Sequence, residues 1–128
     1  MPLPARKPLQ ASCHCGAVRL EIARKPRSLT DCNCSICRRY GALWSYHVRK
    51  SVKVVCSTPD ALTAYSWRGK RLKFQHCTRC GCVVYHEPAR ERGDDATLGV
   101  NARMMDPADI ADVRVRRLDG AKTWKYLD

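Results

Sequence analysis

Seven of the nine cysteines fall into three short clusters with the spacing of metal ligands. The clusters are Cys13-x-Cys15, Cys32-x-Cys34-x2-Cys37 and Cys77-x2-Cys80. A short spacer lets neighbouring sulfurs face one ion, and Gly16 and Gly81, which follow the two pairs, permit tight turns that bring backbone amides toward the sulfurs. Clustered thiols with an odd total favour metal binding over disulfides.

The two pairs and the middle cluster predict two different kinds of zinc site. The pairs together supply four thiolates, which close a tetrahedral site and give it a structural role. The middle cluster supplies three, the number of protein ligands that catalytic zinc sites use while leaving one position to water or substrate. Zinc held by three thiolates carries a net negative charge, so its natural guest is another thiol. The middle cluster therefore indicates activation of a sulfur nucleophile.

The spacing equally allows a closed middle site, in which a protein side chain completes the coordination sphere. The candidates for that ligand are the four histidines and the two remaining cysteines, namely His14, His47, His76, His86, Cys56 and Cys82. The protein would then be a scaffold with two structural zinc ions. Cys56 and Cys82 stand among valines, where we expect small buried apolar side chains.

The charge of the chain favours an anionic partner. It carries 24 basic and 12 acidic residues, a formal net charge of +12, and residues 1–50 hold ten of the basic residues against Glu21 and Asp31. The alternative function is therefore a non-catalytic basic zinc-binding module that contacts nucleic acid or another acidic partner. Nucleic acid is the less favoured partner, because the arginines are scattered and lack an aromatic platform for bases.

Strands must position these clusters, because apolar and polar residues alternate along most of the chain. The predicted strands cover 17–23, 43–48, 52–56, 62–67, 71–76, 82–87 and 96–101. Arg68-Gly69-Lys70 predicts a hairpin turn between the fourth and fifth. Helix is limited to a turn at 35–40 and a capped first turn at Asp106-Pro107. The end of the sequence, VRVRRLDGAKTWKYLD (113–128), alternates as a strand does and then turns at Asp119-Gly120. The sequence thus predicts a mainly β protein with little helix.

The length of 128 residues suits one domain, which we expect at 11–128 after an N-terminal extension at 1–10. The apolar runs are too short to cross a bilayer, and the start MPLPARKPLQ does not have the pattern of a secretory signal. We therefore expect a cytoplasmic protein without a membrane partner.

The chain resembles the glutathione-dependent formaldehyde-activating family, also called the centromere protein V-like family, over most of residues 11–128. The resemblance lies in CHCGAVRLEI (13–22), CNCSICRRYGA (32–42), CTRCG (77–81) and the tail RRLDGAKTWKYLD (116–128). It implies a small zinc-stabilised domain of the β-tent type with two zinc ions per chain. The structural ion would be held by Cys13, Cys15, Cys77 and Cys80, and the catalytic ion by Cys32, Cys34 and Cys37.

The resemblance also implies a reaction, the joining of glutathione to formaldehyde to give S-hydroxymethylglutathione, or a related thiol–aldehyde reaction of a carbon–sulfur lyase. The partner would be a small molecule, glutathione or a glutathione adduct, whose thiol takes the open zinc position. Arg38 and Arg39 follow the cluster directly and are candidates for contacts with the carboxylates of glutathione, but we expect them to face solvent. Trp44 and Tyr46 are candidates for a pocket wall or for the core, and His47 and His86 are candidate proton carriers.

Overall fold

The computed structural model describes residues 8–67, 71–90 and 93–128. In chain order the strands are β1 (Leu9–Ser12), β2 (Val18–Ile22), β3 (Ser28–Cys32), β4 (Trp44–Val48), β5 (Val52–Cys56), β6 (Leu62–Tyr65), β7 (Leu72–Cys77), β8 (Val83–Pro88), β9 (Thr97–Asn101) and β10 (Arg114–Leu118). The helices are α1 (Ser35–Tyr40) and α2 (Pro107–Ile110), with single 3-10 turns at Arg49–Ser51 and Ala102–Met104. The protein is mostly β, as its sequence predicts. In these ranges no helix has the length and apolar character needed to cross a membrane.

The strands form two sheets. A three-stranded antiparallel sheet has the order β1-β2-β5, and a seven-stranded sheet has the order β10-β3-β4-β9-β8-β7-β6. In the larger sheet β10 runs parallel to β3 and the other pairs are antiparallel. The main core joins residues of both sheets, among them Val18, Leu20, Ile22, Val84, Leu98 and Val100. Burial of each such side chain stabilises the fold by roughly 1.5–3 kcal/mol.

The larger sheet has a second apolar cluster that contains part of the middle cysteine group. Leu98 and Val100 of β9 pack in the main core, and side chains alternate between the two faces of a strand. The second cluster contains Trp44 of β4, Phe74 of β7 and Val83 of β8, together with Cys32 and Cys37. The middle cluster therefore lies against an aromatic surface of the larger sheet.

The predicted elements agree with the observed ones to within two residues at each end, and the predicted turns 35–40 and Asp106-Pro107 are α1 and α2. Asp106 caps α2 by accepting a hydrogen bond from the amide of Ala108 at 2.9 Å. β1 and β3 were not predicted, because LQAS and SLTDC are short and mostly polar. Arg68-Gly69-Lys70 lies outside the described residues, although β6 and β7 pair as that hairpin requires.

Candidate metal centres

Two hairpin turns from different sheets bring the cysteine pairs together. Cys13 follows β1 directly, and Cys77 is the last residue of β7. The sulfurs of Cys13, Cys15, Cys77 and Cys80 all lie within 4.8 Å of one another. The Cys13–Cys15 and Cys15–Cys77 sulfur separations are 3.7 and 3.5 Å. Tetrahedral zinc with bonds of about 2.3 Å places its sulfurs about 3.8 Å apart, so the donor set fits zinc. An ion here would link the two sheets.

Backbone amides surround the sulfurs of this first group. Gly16 and Gly81 have φ angles of 82° and 80°, which lie in the left-handed region that glycine adopts without strain. The amide of Val18 donates to the sulfur of Cys13 at 3.3 Å, and the amide of Cys80 donates to the sulfur of Cys77 at 3.5 Å. Such donors stabilise thiolates, which are the form of cysteine that binds metal.

Without a cation the thiols of Cys80 and Cys15 differ widely in their tendency to ionise. Burial opposes ionisation of Cys80, but amide hydrogen bonds from Cys82 and Cys15 outweigh it and lower the pKa of Cys80 to about 5. The amide of Ala17 favours the Cys15 thiolate, yet burial and the neighbouring sulfurs raise the pKa of Cys15 to about 11. A bound divalent cation supplies the charge that lets every sulfur ionise.

The middle group is built where β3 ends and α1 begins. Cys32 is the last residue of β3, Cys34 is the N-cap of α1, and Cys37 lies in its first turn. Their sulfurs lie within 4.8 Å of one another, and no further histidine, cysteine or acidic side chain in the described ranges belongs to this group. The three thiols can hold a metal ion, and the proposed fourth ligands from the protein do not complete the group.

Four of the candidates for that fourth ligand have other surroundings. The imidazole of His76 is hydrogen bonded to the hydroxyl of Tyr40 at 3.0 Å, and that of His47 is hydrogen bonded to the Ser45 hydroxyl. Cys82 is half-buried and packs against the main core. Cys56 is exposed, so the expectation that it is buried was wrong. It is the last residue of β5, an edge strand of the small sheet, and little chain covers it there.

The side chains of Cys32 and Cys37 shift each other's pKa in opposite directions. The thiol of Cys37 hydrogen bonds to the sulfur of Cys32 and lowers the pKa of Cys32 to about 6, whereas the same interaction raises the pKa of Cys37. The indole Nε1–H of Trp44 donates to the sulfur of Cys37 at 3.3 Å. The sequence predicts Trp44 in a pocket wall or in the core, but it does not predict this hydrogen bond to a candidate metal ligand.

The end of the chain contacts the middle group. A Cβ atom at Gly120 would lie 2.5 Å from the sulfur of Cys32 and 3.4 Å from Cβ of Cys34, so only glycine fits. Asn33, between these two cysteines, donates to a carboxylate oxygen of Asp119 at 3.1 Å and accepts from the amide of residue 121 at 2.9 Å. The turn at Asp119-Gly120 was predicted, but its contact with the cysteines depends on β10 pairing with β3.

A cavity of about 840 Å³ opens beside the three cysteines. Its aromatic lining residues are Trp44, Tyr46, Trp67, Phe74 and Trp124. Trp44 and Tyr46 are two residues apart on β4 and therefore share a face; Trp44 is 1% exposed and Tyr46 is 42% exposed. Arg38 and Arg39 are exposed on α1, as expected, and Arg39 donates to the carbonyl oxygen of Ser35 at 2.8 Å.

His86 lies in the same cavity on a row that crosses the sheet. Tyr46 pairs with Gly99, Gly99 with His86, and His86 with Phe74. The imidazole of His86 is 4.6 Å from the Trp44 ring, between centroids, and its buried Nδ1 has no hydrogen-bond partner. Burial lowers the pKa of His86 to about 4, so the ring is neutral near pH 7. His47 lines a different groove and does not reach this cavity.

The fold and the two thiol groups define a small, mostly β protein with two candidate metal centres. The model of the family named glutathione-dependent formaldehyde-activating enzyme matches residues 8–116. The chain belongs to this family, which confirms the resemblance seen in the cysteine clusters. A crystal structure of a Rhodobacter sphaeroides protein is also similar, with 28% identity, a TM-score of 0.65, and coverage of 84% of this chain and 99% of the other.

Proposed function

We propose that the protein is a zinc-dependent carbon–sulfur lyase that joins glutathione to formaldehyde, giving S-hydroxymethylglutathione, or catalyses a closely related thiol–aldehyde reaction. The family match supports glutathione and formaldehyde as the substrate class. The observation that carries the proposal is the group of three thiols, Cys32, Cys34 and Cys37, beside a cavity of about 840 Å³. Four protein thiols would have favoured a purely structural role for this second centre.

The two groups differ in the role that we assign to their metal. Cys13, Cys15, Cys77 and Cys80 would hold a structural zinc ion that links the two sheets. Cys32, Cys34 and Cys37 would hold the catalytic zinc ion. When bound there, zinc supplies a positive charge that lowers the pKa of a substrate thiol and keeps the resulting thiolate in place.

Residues around the middle group reduce and distribute the negative charge of its sulfurs. Trp44 Nε1–H donates to Cys37, and the amide of Gly120 is one of the donors that favour the Cys32 thiolate. Hydrogen bonds of this kind orient metal ligands and tune their basicity. Trp44 and Phe74 form a buried aromatic part of the cavity wall, and an apolar wall strengthens electrostatic interactions with a bound substrate.

The net reaction transfers one proton from the thiol to the aldehyde oxygen as the carbon–sulfur bond forms, and solvent in the open cavity can carry it. We assign the oxygen contact to His86, which lines the cavity and has a neutral imidazole with an unpartnered Nδ1. A neutral imidazole can donate a hydrogen bond to the aldehyde oxygen without introducing a charge. The role of His86 is thus to orient the aldehyde and to polarise its carbonyl group.

The proposal is tested by measuring the exchange between free formaldehyde and its glutathione adduct by ¹³C NMR. We expect zinc-loaded protein to accelerate this exchange over buffer, and Cys34→Ser to abolish the acceleration. Cys56→Ser is the matched control, because Cys56 is exposed and belongs to neither group. Exchange by the zinc-loaded protein at the rate of buffer would exclude formaldehyde and glutathione as its substrates.

Metal analysis tests the cofactor separately from the substrate. We expect two zinc ions per chain in the wild-type protein and one in Cys34→Ser. If the wild type holds one zinc ion and Cys34→Ser retains it, only the first group is a zinc site. The second group would then have no catalytic zinc.

A second candidate function, binding of an acidic partner, has one supporting feature. Arg24, Lys25, Arg27 and Lys50 line a single groove. However, Lys25 pairs with Asp112 at 2.6 Å and Lys50 pairs with Asp95 at 3.3 Å, which offsets part of this charge. Retention on DNA that falls steeply with salt and is lost in Arg24→Ala/Arg27→Ala would favour this function.

A further inference from the structure

Trp124 combines an unfavourable backbone with a large exposed side chain. Its φ angle is 58°, a left-handed conformation that residues other than glycine, asparagine and aspartate rarely adopt. Its side chain is nonetheless 69% exposed, so burial in the core does not compensate for the strain. Strained residues of this kind are concentrated at functional sites, where the conformation positions a side chain for a ligand.

A closed turn imposes this conformation. The amide of Trp124 donates to the carbonyl oxygen of Asp119 at 2.7 Å, and the amide of Asp119 donates to the carbonyl oxygen of Lys125 at 2.9 Å. The hydroxyl of Thr123 donates to the Asp119 carboxylate at 3.0 Å. Asn33 binds the same carboxylate and thereby joins the turn to the middle cysteine group. The backbone of Trp124 is consequently held in place relative to Cys32 and Cys34.

The indole lies beside the candidate catalytic centre. Its Cζ3 atom is 3.5 Å from the position that a Cβ atom of Gly120 would occupy, and that position is 2.5 Å from the sulfur of Cys32. The space beside Gly120 is therefore bordered by the sulfur of Cys32 and by the ring of Trp124. Trp124 also lines the cavity that opens beside the three thiols.

We infer that Trp124 is a specificity-determining residue whose indole packs against the non-reacting body of a peptide-like thiol substrate. This inference rests on the proposed function, which places the substrate sulfur beside Cys32, Cys34 and Cys37. The rest of such a thiol must extend from that point along the cavity toward exposed residues. An indole offers a broad rigid face against which amide planes and methylene groups pack, at low cost in conformational entropy. Formaldehyde is too small to extend from the sulfurs of the three cysteines to the indole. A substrate contact with Trp124 would therefore come from the thiol.

The test compares large and small thiols on protein loaded with cobalt(II), whose thiolate absorption reports binding without any catalytic turnover. We expect Trp124→Asn to weaken glutathione binding about tenfold, as loss of one good aromatic contact implies. Binding of 2-mercaptoethanol, which has no peptide body, should change by less than about twofold. Asparagine tolerates positive φ, so the melting temperature should be equal to or above that of the wild type.

Leu127→Asn is the matched control, because Leu127 is 63% exposed in the same tail and does not line the cavity. Glutathione affinity should be unchanged in this variant. The inference would be overturned if Trp124→Asn lost affinity for glutathione and 2-mercaptoethanol equally, or lost affinity for neither. A changed oligomeric state of Trp124→Asn in light scattering with unchanged thiol affinity would also overturn it, since Trp124 would then belong to a protein contact.

Failure of the proposed function gives a different result. If the zinc-loaded wild type does not accelerate formaldehyde exchange but binds glutathione in a way that depends on Trp124, the reaction is wrong and the inference stands. If no thiol changes the cobalt spectrum of the wild type, the inference is wrong as well.

Discussion

The imidazole of His86 occupies the space that a side chain at Gly99 would need. A Cβ atom at residue 99 would overlap the Nε2 atom of His86, and these two residues are paired across β8 and β9. The absence of a side chain at Gly99 thus makes room on the sheet for a buried histidine among three aromatic rings, those of Trp44, Tyr46 and Phe74.

Gly99→Ala should therefore force His86 out of its place and lower the free energy of unfolding by about 1–3 kcal/mol, the usual cost of overpacking. Urea denaturation of zinc-loaded protein measures this change. The double variant Gly99→Ala/His86→Ala is the control. Its loss of stability should be smaller than the sum of the losses in the two single variants. Strict additivity would show that the two side chains do not compete for this space.

His86 should also make stability depend on pH. Its folded pKa is about 4 against an ordinary value of 6.5, so below pH 6.5 the unfolded chain binds a proton that the folded chain excludes. Stability should fall by about 3 kcal/mol between pH 6.5 and 4 from this group and should be unaffected by it above pH 7.

The measurement is the difference between wild type and His86→Leu in urea denaturation across this range, with zinc present throughout. The difference isolates His86 from the protonation of the cysteines, which both proteins share. Parallel pH profiles for the two proteins would contradict a buried, neutral His86.

Trp44→Phe removes the hydrogen bond to Cys37 and keeps an aromatic ring in the cavity. We expect the affinity of the middle group for zinc to fall about 10- to 100-fold, as for other residues that orient metal ligands. Competition with a chromophoric chelator measures this affinity. Tyr46→Phe is the control on the same face of β4 and should retain wild-type affinity.

Gly120→Ala should disturb the middle group specifically, since the added methyl group meets the sulfur of Cys32. We expect the zinc content to fall from two ions to about one, with the first group still filled. Ala121→Gly, at the next residue, should retain both ions. Full zinc content in Gly120→Ala would mean that the segment around residue 120 moves to make room for the methyl group and leaves the middle group intact.

Cys15→Ser should have a larger effect on folding than Cys34→Ser. Structural zinc contributes on the order of 10 kcal/mol to the folding of zinc-finger peptides, and the first group links both sheets here. We expect Cys15→Ser to be largely unfolded by circular dichroism at 25 °C and Cys34→Ser to remain folded. Equal melting temperatures for the two variants would argue against separate structural and catalytic roles.

The sequence by itself determined the cysteine groups, the mainly β class, most strand positions and the family. These features depend on short-range patterns: a two-residue spacer brings sulfurs together within one turn, and alternation of apolar residues specifies a strand whatever its partners. Asp106-Pro107 likewise predicted α2, because its cap is formed by adjacent residues.

Only the tertiary structure decided which distant residues meet. Gly120 contacts Cys32 because β10 pairs in parallel with β3, and His86 is buried over Gly99 because β8 lies beside β9. The exposure of Cys56 likewise follows from the place of β5 at the edge of its sheet. Strand order is set by the combined packing of the whole chain. The local sequence pattern around a residue therefore does not predict which residues lie beside it on the neighbouring strands.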